Sequence, residues 1–267
     1  MSDADRSGER STRDLTPQSI QNVSAIGQGS TAFGALHGDV IYHAAPASAP
    51  AETRSTASSG RRIRILMLAA NPAPGARLAL DEEAREVTEK LRLSQDRDDF
   101  DLVTRWAVRP ADLLQSINEH RPHVVHFSGH GTQTGEIVLA GAGGGQHPVA
   151  AEALAAVFRA TPDHTRMVLL NACYSAVQAQ AIGKHIDFII GMDAPIDDRS
   201  AAIFAAAFYS ALGFGRSVRQ AFDQGVAALM LHGMPDHDVP RLLIRHGADP
   251  DQPLLEPVPG PAPRPAV

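Results

Sequence analysis

The chain contains 267 residues and carries a net charge of −6 at neutral pH, from 24 basic and 30 acidic residues. Because the basic residues are not gathered into a stripe, the composition argues against a protein that binds nucleic acid. No stretch approaches the roughly 20 apolar residues that cross a bilayer, and the acidic start MSDADR is not followed by an apolar region. We therefore expect a cytoplasmic protein that binds no nucleic acid and no membrane. A single cysteine excludes an internal disulfide and, by itself, a cysteine-rich zinc site.

Composition also divides the chain into segments. Residues 1–18 are charged, residues 45–60 consist largely of Ala, Pro, Ser and Thr, and residues 250–267 contain seven of the chain's 19 prolines. Such segments bury too little apolar surface to offset the entropy of ordering, so we expect two disordered ends and a linker. Residues 61–249 remain as one globular domain, and residues 19–44 form a separate short segment.

Apolar runs of strand length alternate with stretches of helical periodicity in the globular domain. Strands are predicted at 62–70, 100–107, 123–131, 166–172 and 187–192. Helices are predicted at 80–91, 110–120, 151–159, 175–185, 199–213 and 216–231, with a hairpin at 136–149. In the second helix we expect Leu113, Leu114 and Ile117 to point inward. The alternation predicts an α/β fold with a mostly parallel sheet and helices on both faces.

Two residues that are suited to nucleophilic catalysis follow two of the predicted strands. The sequence SGHG places His130 between glycines at the end of the third strand, and NAC places Cys173 between the fourth strand and a helix. If these strands are neighbours, the imidazole meets the thiol at one sheet edge. The helix N-terminus favours the thiolate, and the amides of Gly131 and Cys173 are candidates for an oxyanion hole. We expect acyl transfer from a peptide to Cys173, with His130 as base and then acid.

Simpler interpretations stay open for the same residues. A cysteine after an apolar strand can be a small buried hydrophobe, and His130 can be an ordinary loop histidine. A metal site at His123, His126 and His130 is disfavoured, because strand positions 123 and 126 point to opposite faces. The GAGGGQ stretch lacks the Lys and Ser/Thr of a phosphate-binding P-loop. We expect no metal and no cofactor.

Several stretches together resemble one known family. PHVVHFSGHG and MVLLNACYS, with ILMLAANP, LALDEEAREVTEKLRLS and IIGMDAPIDDRSAAIFAAAFYSALGFG, are similar to the CHAT domain over about residues 61–232. The resemblance implies a caspase-hemoglobinase fold of clan CD, a three-layer α/β/α sandwich with a mostly parallel sheet. It implies that His130 and Cys173 form a metal-free catalytic dyad. A tryptophan that is usual in the family after the fifth strand is replaced here, in GMDAPIDD.

The loop after the fifth strand carries three acidic residues, Asp193, Asp197 and Asp198. Carboxylates beside the dyad suit a basic side chain before the scissile bond, so we expect a preference for Arg or Lys. Simpler roles are capping of the following helix by Asp198 and a surface position for Asp193.

Residues 19–44 have no proline and one acidic residue, with pieces of high β-propensity around glycines. They resemble the RHIM-like amyloid signalling motifs of bacterial effectors. The usual core of these motifs is valine, glutamine, an apolar residue and glycine, and this chain has Ala25, Ile26, Gly27 and Gln28 at that place instead. The resemblance implies a homo-oligomer through these residues and a sensor protein with a matching motif as partner. The alternative is a linker that contains apolar residues.

The function that these resemblances imply is a cysteine endopeptidase effector of bacterial immunity or programmed cell death. Its protein substrate would be a gasdermin-like protein or another peptidase. An alternative is a catalytically idle caspase-like adaptor that acts by binding partners. A flavodoxin-like small-molecule binder ranks last, because the sequence has no phosphate-cradling loop.

Overall fold

A computed structural model of the chain describes residues 62–72, 78–161 and 164–254. The predictions for residues 1–18, 19–44 and 45–60 lie outside the described residues, and so does most of the predicted C-terminal tail. Leu254, which belongs to that tail segment, is only 3% exposed, and its carbonyl accepts a hydrogen bond from Arg166 at 3.2 Å. The boundaries of the segments stay predictions.

Eight strands and six α-helices make up the described part of the chain. The strands are β1 (Ile63–Ala70), β2 (Phe100–Trp106), β3 (Val124–Gly129), β4 (Ile137–Ala140), β5 (Gln146–Val149), β6 (Met167–Asn171), β7 (Phe188–Met192) and β8 (Pro240–Ile244). The helices are α1 (Leu80–Leu93), α2 (Pro110–His120), α3 (Ala151–Ala160), α4 (Ala176–Ile182), α5 (Asp198–Gly213) and α6 (Val218–Leu231).

The central sheet has six strands in the order β2-β1-β3-β6-β7-β8. Within this sheet, β2, β1, β3, β6 and β7 run parallel to one another, and β8 pairs antiparallel with β7. The chain moves from β1 to β2 on one side and returns to β3 on the other, so the strand order reverses between β1 and β3. Ligand crevices of open α/β sheets form at such a switch point, beyond the carboxyl ends of the strands.

Two hydrophobic clusters cover the two faces of this sheet. Alternate strand residues such as Ile65, Val124 and Leu169 pack under α1, α5 and α6. Their neighbours in sequence, such as Leu66, Val125 and Leu170, pack under α2, α3 and α4. This alternation follows from the two-residue period of a strand. The predicted three-layer α/β/α sandwich with a mostly parallel sheet is therefore confirmed.

Three details differ from the predictions. Strand β8 was not predicted; it is a half-exposed edge strand whose first residue is Pro240, a position that proline tolerates. Leu114 does not point inward but is 43% exposed, because the buried stripe of α2 runs through Leu113, Ser116 and Ile117. The N-cap of α5 is Asp197 and not Asp198, because the side chain of Asp197 accepts a hydrogen bond from the amide of Arg199 at 2.9 Å.

The predicted hairpin is present as the antiparallel pair of β4 and β5. Its tip contains Gly143 and Gly144 with φ of 80° and 85°, values that favour glycine. None of the helices in the described ranges is long and apolar enough to cross a membrane.

An ion-pair cluster at Asp187 ties together the ends of three strands. The Asp187 carboxylate accepts from Arg166 Nε at 2.8 Å and from Arg245 Nε at 3.0 Å. Partial burial raises the pKa of Asp187, but the hydrogen bonds and charges of Arg245 and Arg166 outweigh it and hold the pKa below its ordinary value. The cluster therefore stabilises the fold when Asp187 is ionised.

We expect Asp187→Asn to lower the free energy of unfolding by about 1 kcal/mol at neutral pH. Because the folded-state pKa is depressed, this stabilisation is present above the ordinary carboxyl pKa of about 4 and is lost as the pH falls through the folded-state value. Urea unfolding at neutral and acidic pH measures the difference. Asp101→Asn, at an exposed carboxylate of β2, is the control; a gap between wild type and Asp187→Asn that persists in acid would contradict the prediction.

Candidate functional site

His130 and Cys173 lie at the carboxyl ends of two directly paired strands. β3 and β6 are parallel neighbours, and their last registered pair is Ser128 with Asn171. His130 follows Ser128 by two residues and Cys173 follows Asn171 by two, so the two chains leave the sheet in step. Both His130 and Cys173 are half-buried, and Cys173 is a free thiol. The structure brings together the two residues that the sequence predicted as nucleophile and base.

Both residues line one small cavity of about 40 Å³ between the sheet edge, α1 and α5. This volume has room for roughly three water-sized groups, at roughly 10–15 Å³ for each. His130 Nε2 lies 2.9 Å from Asn71 Oδ1, in the loop that follows β1. Since β1 and β3 flank the switch point of the sheet, this hydrogen bond spans the switch point and fixes the plane of the imidazole.

The loops of His130 and Cys173 are in close backbone contact at Gly131. A Cβ atom at Gly131 would overlap the carbonyl oxygen of Cys173 and would lie 2.9 Å from its amide nitrogen. Only glycine allows this approach. Within the described ranges, no acceptor takes a hydrogen bond from the amide of Gly131 or Cys173. The two amides predicted as an oxyanion hole are therefore neighbours.

The backbone turns sharply just after the cysteine. Tyr174 has a φ of 57°, a left-handed conformation that costs a non-glycine residue about 1–2 kcal/mol. Its amide reaches Ala194 O at 3.4 Å, and the side chain of Ser175 donates to Leu170 O at 2.8 Å. Strained backbone of this kind persists where the surroundings hold it, and it often does so at functional sites.

The three acidic candidates occupy three different environments. Asp193 forms an ion pair with Arg241 at 2.7 Å, and Asp197 caps α5. Only Asp198 lines the cavity that His130 and Cys173 share, and it accepts from the amide of Ala79 at 3.3 Å. Partial burial and the charges of Asp197 and Glu83 raise the pKa of Asp198. The hydrogen bond from the Ala79 amide and the charge of His130 lower it by less, so the pKa lies above its ordinary value. The structure therefore separates Asp198 from the other two.

A buried polar cluster lies in the same cavity wall. The carboxylate of Glu83 in α1 accepts from Ser128 Oγ and, at 2.5 Å, from Asn171 Nδ2. His126 Nε2 lies 3.1 Å from Glu83 Oε1, which makes an ion pair when the imidazole is protonated. The ring of His126 stacks on Tyr209, with 5.7 Å between centroids. We call Glu83, His126, Ser128 and Asn171 the Glu83 cluster.

The charge of Glu83 is balanced within this cluster. Burial raises the pKa of Glu83, but the charge of the adjacent His126 and the hydrogen bonds from Ser128 and Asn171 outweigh burial and lower it. Burial raises the pKa of Tyr209, and the negative charge of Glu83 raises it further. Glu83 is therefore held as a carboxylate, while Tyr209 stays a neutral phenol.

Sequence reasoning missed Asn71, Glu83, Ser128 and Asn171 as site residues. One signal was available for Glu83: it is a carboxylate on the same helical face as Leu80, Ala84 and Val87. The polar residues Ser128 and Asn171 near the ends of fully buried strands were a second signal. Their common partner is visible only in three dimensions.

The histidines that the sequence offered as metal ligands have separate partners. His123 Nδ1 accepts from the amide of Arg64, while His126 contacts Glu83 and His130 contacts Asn71. In the part of the chain that the structure describes, no group of three His, Cys, Asp or Glu residues is placed to hold a metal ion.

The fold is a three-layer α/β/α sandwich with a mostly parallel sheet, and a thiol and an imidazole follow two adjacent strands of that sheet. The family model of the CHAT domain matches residues 35–239. The chain belongs to the CHAT domain family. The match begins inside the segment 19–44 and covers both loops of the candidate site.

Two curated relatives are similar to parts of this chain. A protein of Gillisia limnaea described as a probable protease is 25% identical over 150 residues, which cover 55% of this chain and 26% of that protein. A Roc-COR-CHAT protease of an unknown prokaryotic organism is 22% identical over 194 residues, which cover 67% of this chain and 18% of that protein. The matched part of the chain thus spans only 26% and 18% of the lengths of these two relatives.

Two solved structures that align with this chain are a cysteine protease and a caspase. A secreted C11 cysteine protease from Bacteroides thetaiotaomicron, solved with an irreversible peptide inhibitor, aligns over 61% of this chain and 57% of its own, with a TM-score of 0.47 and 14% identity. Caspase-1 from Spodoptera frugiperda aligns over 69% of this chain and 87% of its own, with a TM-score of 0.48 and 11% identity.

Proposed function

We propose that this chain is a caspase-like cysteine endopeptidase of clan CD, with Cys173 as nucleophile and His130 as general base and then general acid. The observation that carries the proposal is that these two residues follow paired parallel strands and line one cavity. Membership of the CHAT family supports the same activity. So do the names of the two relatives, each of which is called a protease.

Apart from solvent water, the proposed reaction needs only groups that line this site. His130 takes the proton from the thiol, and Sγ of Cys173 attacks the carbonyl carbon of the scissile peptide bond. The amides of Gly131 and Cys173 stabilise the oxygen anion of the tetrahedral intermediate. The C–N bond then breaks, and His130 returns the proton to the leaving amine. Water hydrolyses the thioester, which releases the acid and restores the thiol.

The cavity beside the dyad favours a basic side chain in the substrate. Asp198 and Glu83 line it with carboxylates, and Asn171 adds a buried amide oxygen, Oδ1, that has no hydrogen-bond partner in the described part of the chain. These groups accept hydrogen bonds, as the tip of Arg or Lys requires. Glu83 is occupied by its own donors, so we assign the contact with the substrate to Asp198. Asp193 and Asp197 are engaged elsewhere and have no such role in this proposal.

The biological role that we propose is that of a cytoplasmic effector in bacterial immunity or cell death. A sensor protein with a similar motif would recruit the chain through residues 19–44, and assembly of several copies would concentrate the peptidase domains. The substrate would be a protein, such as a gasdermin-like protein or another peptidase. One relative, the Roc-COR-CHAT protease, joins the CHAT module to other modules by name, which supports recruitment through a neighbouring segment.

A peptide library tests both the activity and its specificity. We expect the full chain to cleave peptides after Arg or Lys, and Asp198→Asn to lower kcat/KM for these peptides about 10- to 100-fold, because one charged hydrogen bond is lost. Asp193→Asn is the matched control, since its carboxylate pairs with Arg241 outside the cavity. Cleavage after Asp or Leu by the wild type would reject the specificity. An absence of cleavage, also in co-expression with candidate substrates, would favour an adaptor.

A further inference from the structure

We propose that Glu83 is a positioning residue, whose carboxylate joins the ends of β3 and β6 beneath the cavity and so keeps His130 and Cys173 aligned. The inference rests on the proposed function, in which these two residues form the catalytic dyad. Glu83 acts through Ser128 and Asn171, which precede the dyad residues on their strands.

The burial of Glu83 shows that its position is specific. It is 3% exposed and is the only carboxylate that is buried in the described part of the chain. An ionised carboxylate without water is strongly unfavourable unless other groups pair with it and donate hydrogen bonds to it. Here the donors come from the side chains of Ser128 and Asn171, and His126 adds an ionic contact when it is protonated.

The two donors link the carboxylate to both catalytic loops. Ser128 and Asn171 are opposite each other in the β3–β6 register, and each precedes a dyad residue by two positions. One oxygen of Glu83 binds the serine and the other binds the asparagine, so a single carboxylate bridges the two strands at their last registered pair. Through this bridge, Glu83 constrains the position of His130 relative to Cys173.

The cluster also connects this bridge to two of the three helices on that face of the sheet. Glu83 belongs to α1, and Asn171 Nδ2 donates a second hydrogen bond to Ala201 O in α5 at 3.2 Å. Removal of the carboxylate leaves the buried side chains of Ser128, Asn171 and His126 without their common acceptor. Each must then shift toward another partner, and the shift passes to the loop that begins two residues later.

The single cysteine makes a substrate-free test direct. Alkylation by iodoacetamide forms a thioether at Cys173 with loss of iodide, and its rate over about pH 5 to 9 reports how the thiol and imidazole interact. We expect His130→Ala to slow alkylation at the acidic end about 10-fold or more, and Glu83→Gln to change the profile in the same direction. For peptides that the wild type cleaves, we expect Glu83→Gln to lower kcat about 10- to 100-fold with little change in KM.

Two further variants separate positioning from folding. Ser128→Ala removes one donor and leaves the charge in place, so we expect a smaller change of the same sign. Glu82→Gln, the exposed neighbour on α1, should retain the wild-type profile. Alkylation profiles of folded Glu83→Gln and Ser128→Ala that coincide with that of the wild type would overturn the proposal. Altered profiles in a chain that cleaves no peptide would instead support the positioning role and reject the proposed peptidase function.

Discussion

Cys173→Ala removes turnover of any peptide that the wild type cleaves, and His130→Ala lowers kcat/KM about a thousand-fold or more. The first change deletes the only thiol of the chain, so no acyl-enzyme can form. The second removes the group that accepts and returns the proton, and general acid–base catalysis contributes roughly 10²–10⁴-fold, with larger losses when a nucleophile and its base act as a unit. Steady-state kinetics with the best library peptide measures both losses.

The fold must survive both substitutions for this result to be informative. Both side chains are half-buried at the rim of a cavity and not in a hydrophobic cluster, so we expect small changes in the unfolding midpoint. His147→Ala, at an exposed histidine of β5, is the matched control and should retain full activity. Wild-type turnover by Cys173→Ala would show that the thiol is not the nucleophile, and the dyad would have to be abandoned.

The fold could be predicted largely from the sequence because the central strands β1, β3, β6 and β7 are buried on both faces. Runs such as ILMLAA in β1 and MVLLN in β6 are continuous and apolar, which is typical of a parallel sheet covered by helices. Strand β8 was missed because it begins with proline and lies half-exposed at the edge of the sheet. Such a segment carries little of the pattern on which strand prediction depends.

The site could be predicted only in part. His130 and Cys173 were predicted because each follows an apolar strand and because the two stretches together resemble the CHAT domain, but their proximity required β3 and β6 to be neighbours. The Glu83 cluster is a different case, because its members are separated by up to 88 positions in sequence. Nothing in the local sequence links Glu83 to Asn171, so only the packing of α1 on the sheet could show that they share a hydrogen bond.

Gly131→Ala should lower kcat/KM at least about 100-fold although it alters no polar group of the side chains. A Cβ at this position overlaps the carbonyl oxygen of Cys173 and lies within 2.9 Å of its amide nitrogen. Both contacts are with backbone, so the loops of His130 and Cys173 must move apart. A displacement of about 1 Å at a reacting group can cost on the order of 100-fold in rate. Kinetics and alkylation of Cys173 in the same preparation measure the effect.

Gly145→Ala is the matched control for this substitution. Gly145 lies at the tip of the β4–β5 hairpin, where an added Cβ meets nothing within 4 Å. We expect wild-type kinetics from this variant and, from Gly131→Ala, a loss of stability of about 1–3 kcal/mol, typical of an added methyl group in a packed site. If Gly131→Ala were folded and fully active, the two loops would not need their close contact. The amides of Gly131 and Cys173 would then not act together on the oxyanion, and its stabilisation would have to come from other donors in the cavity.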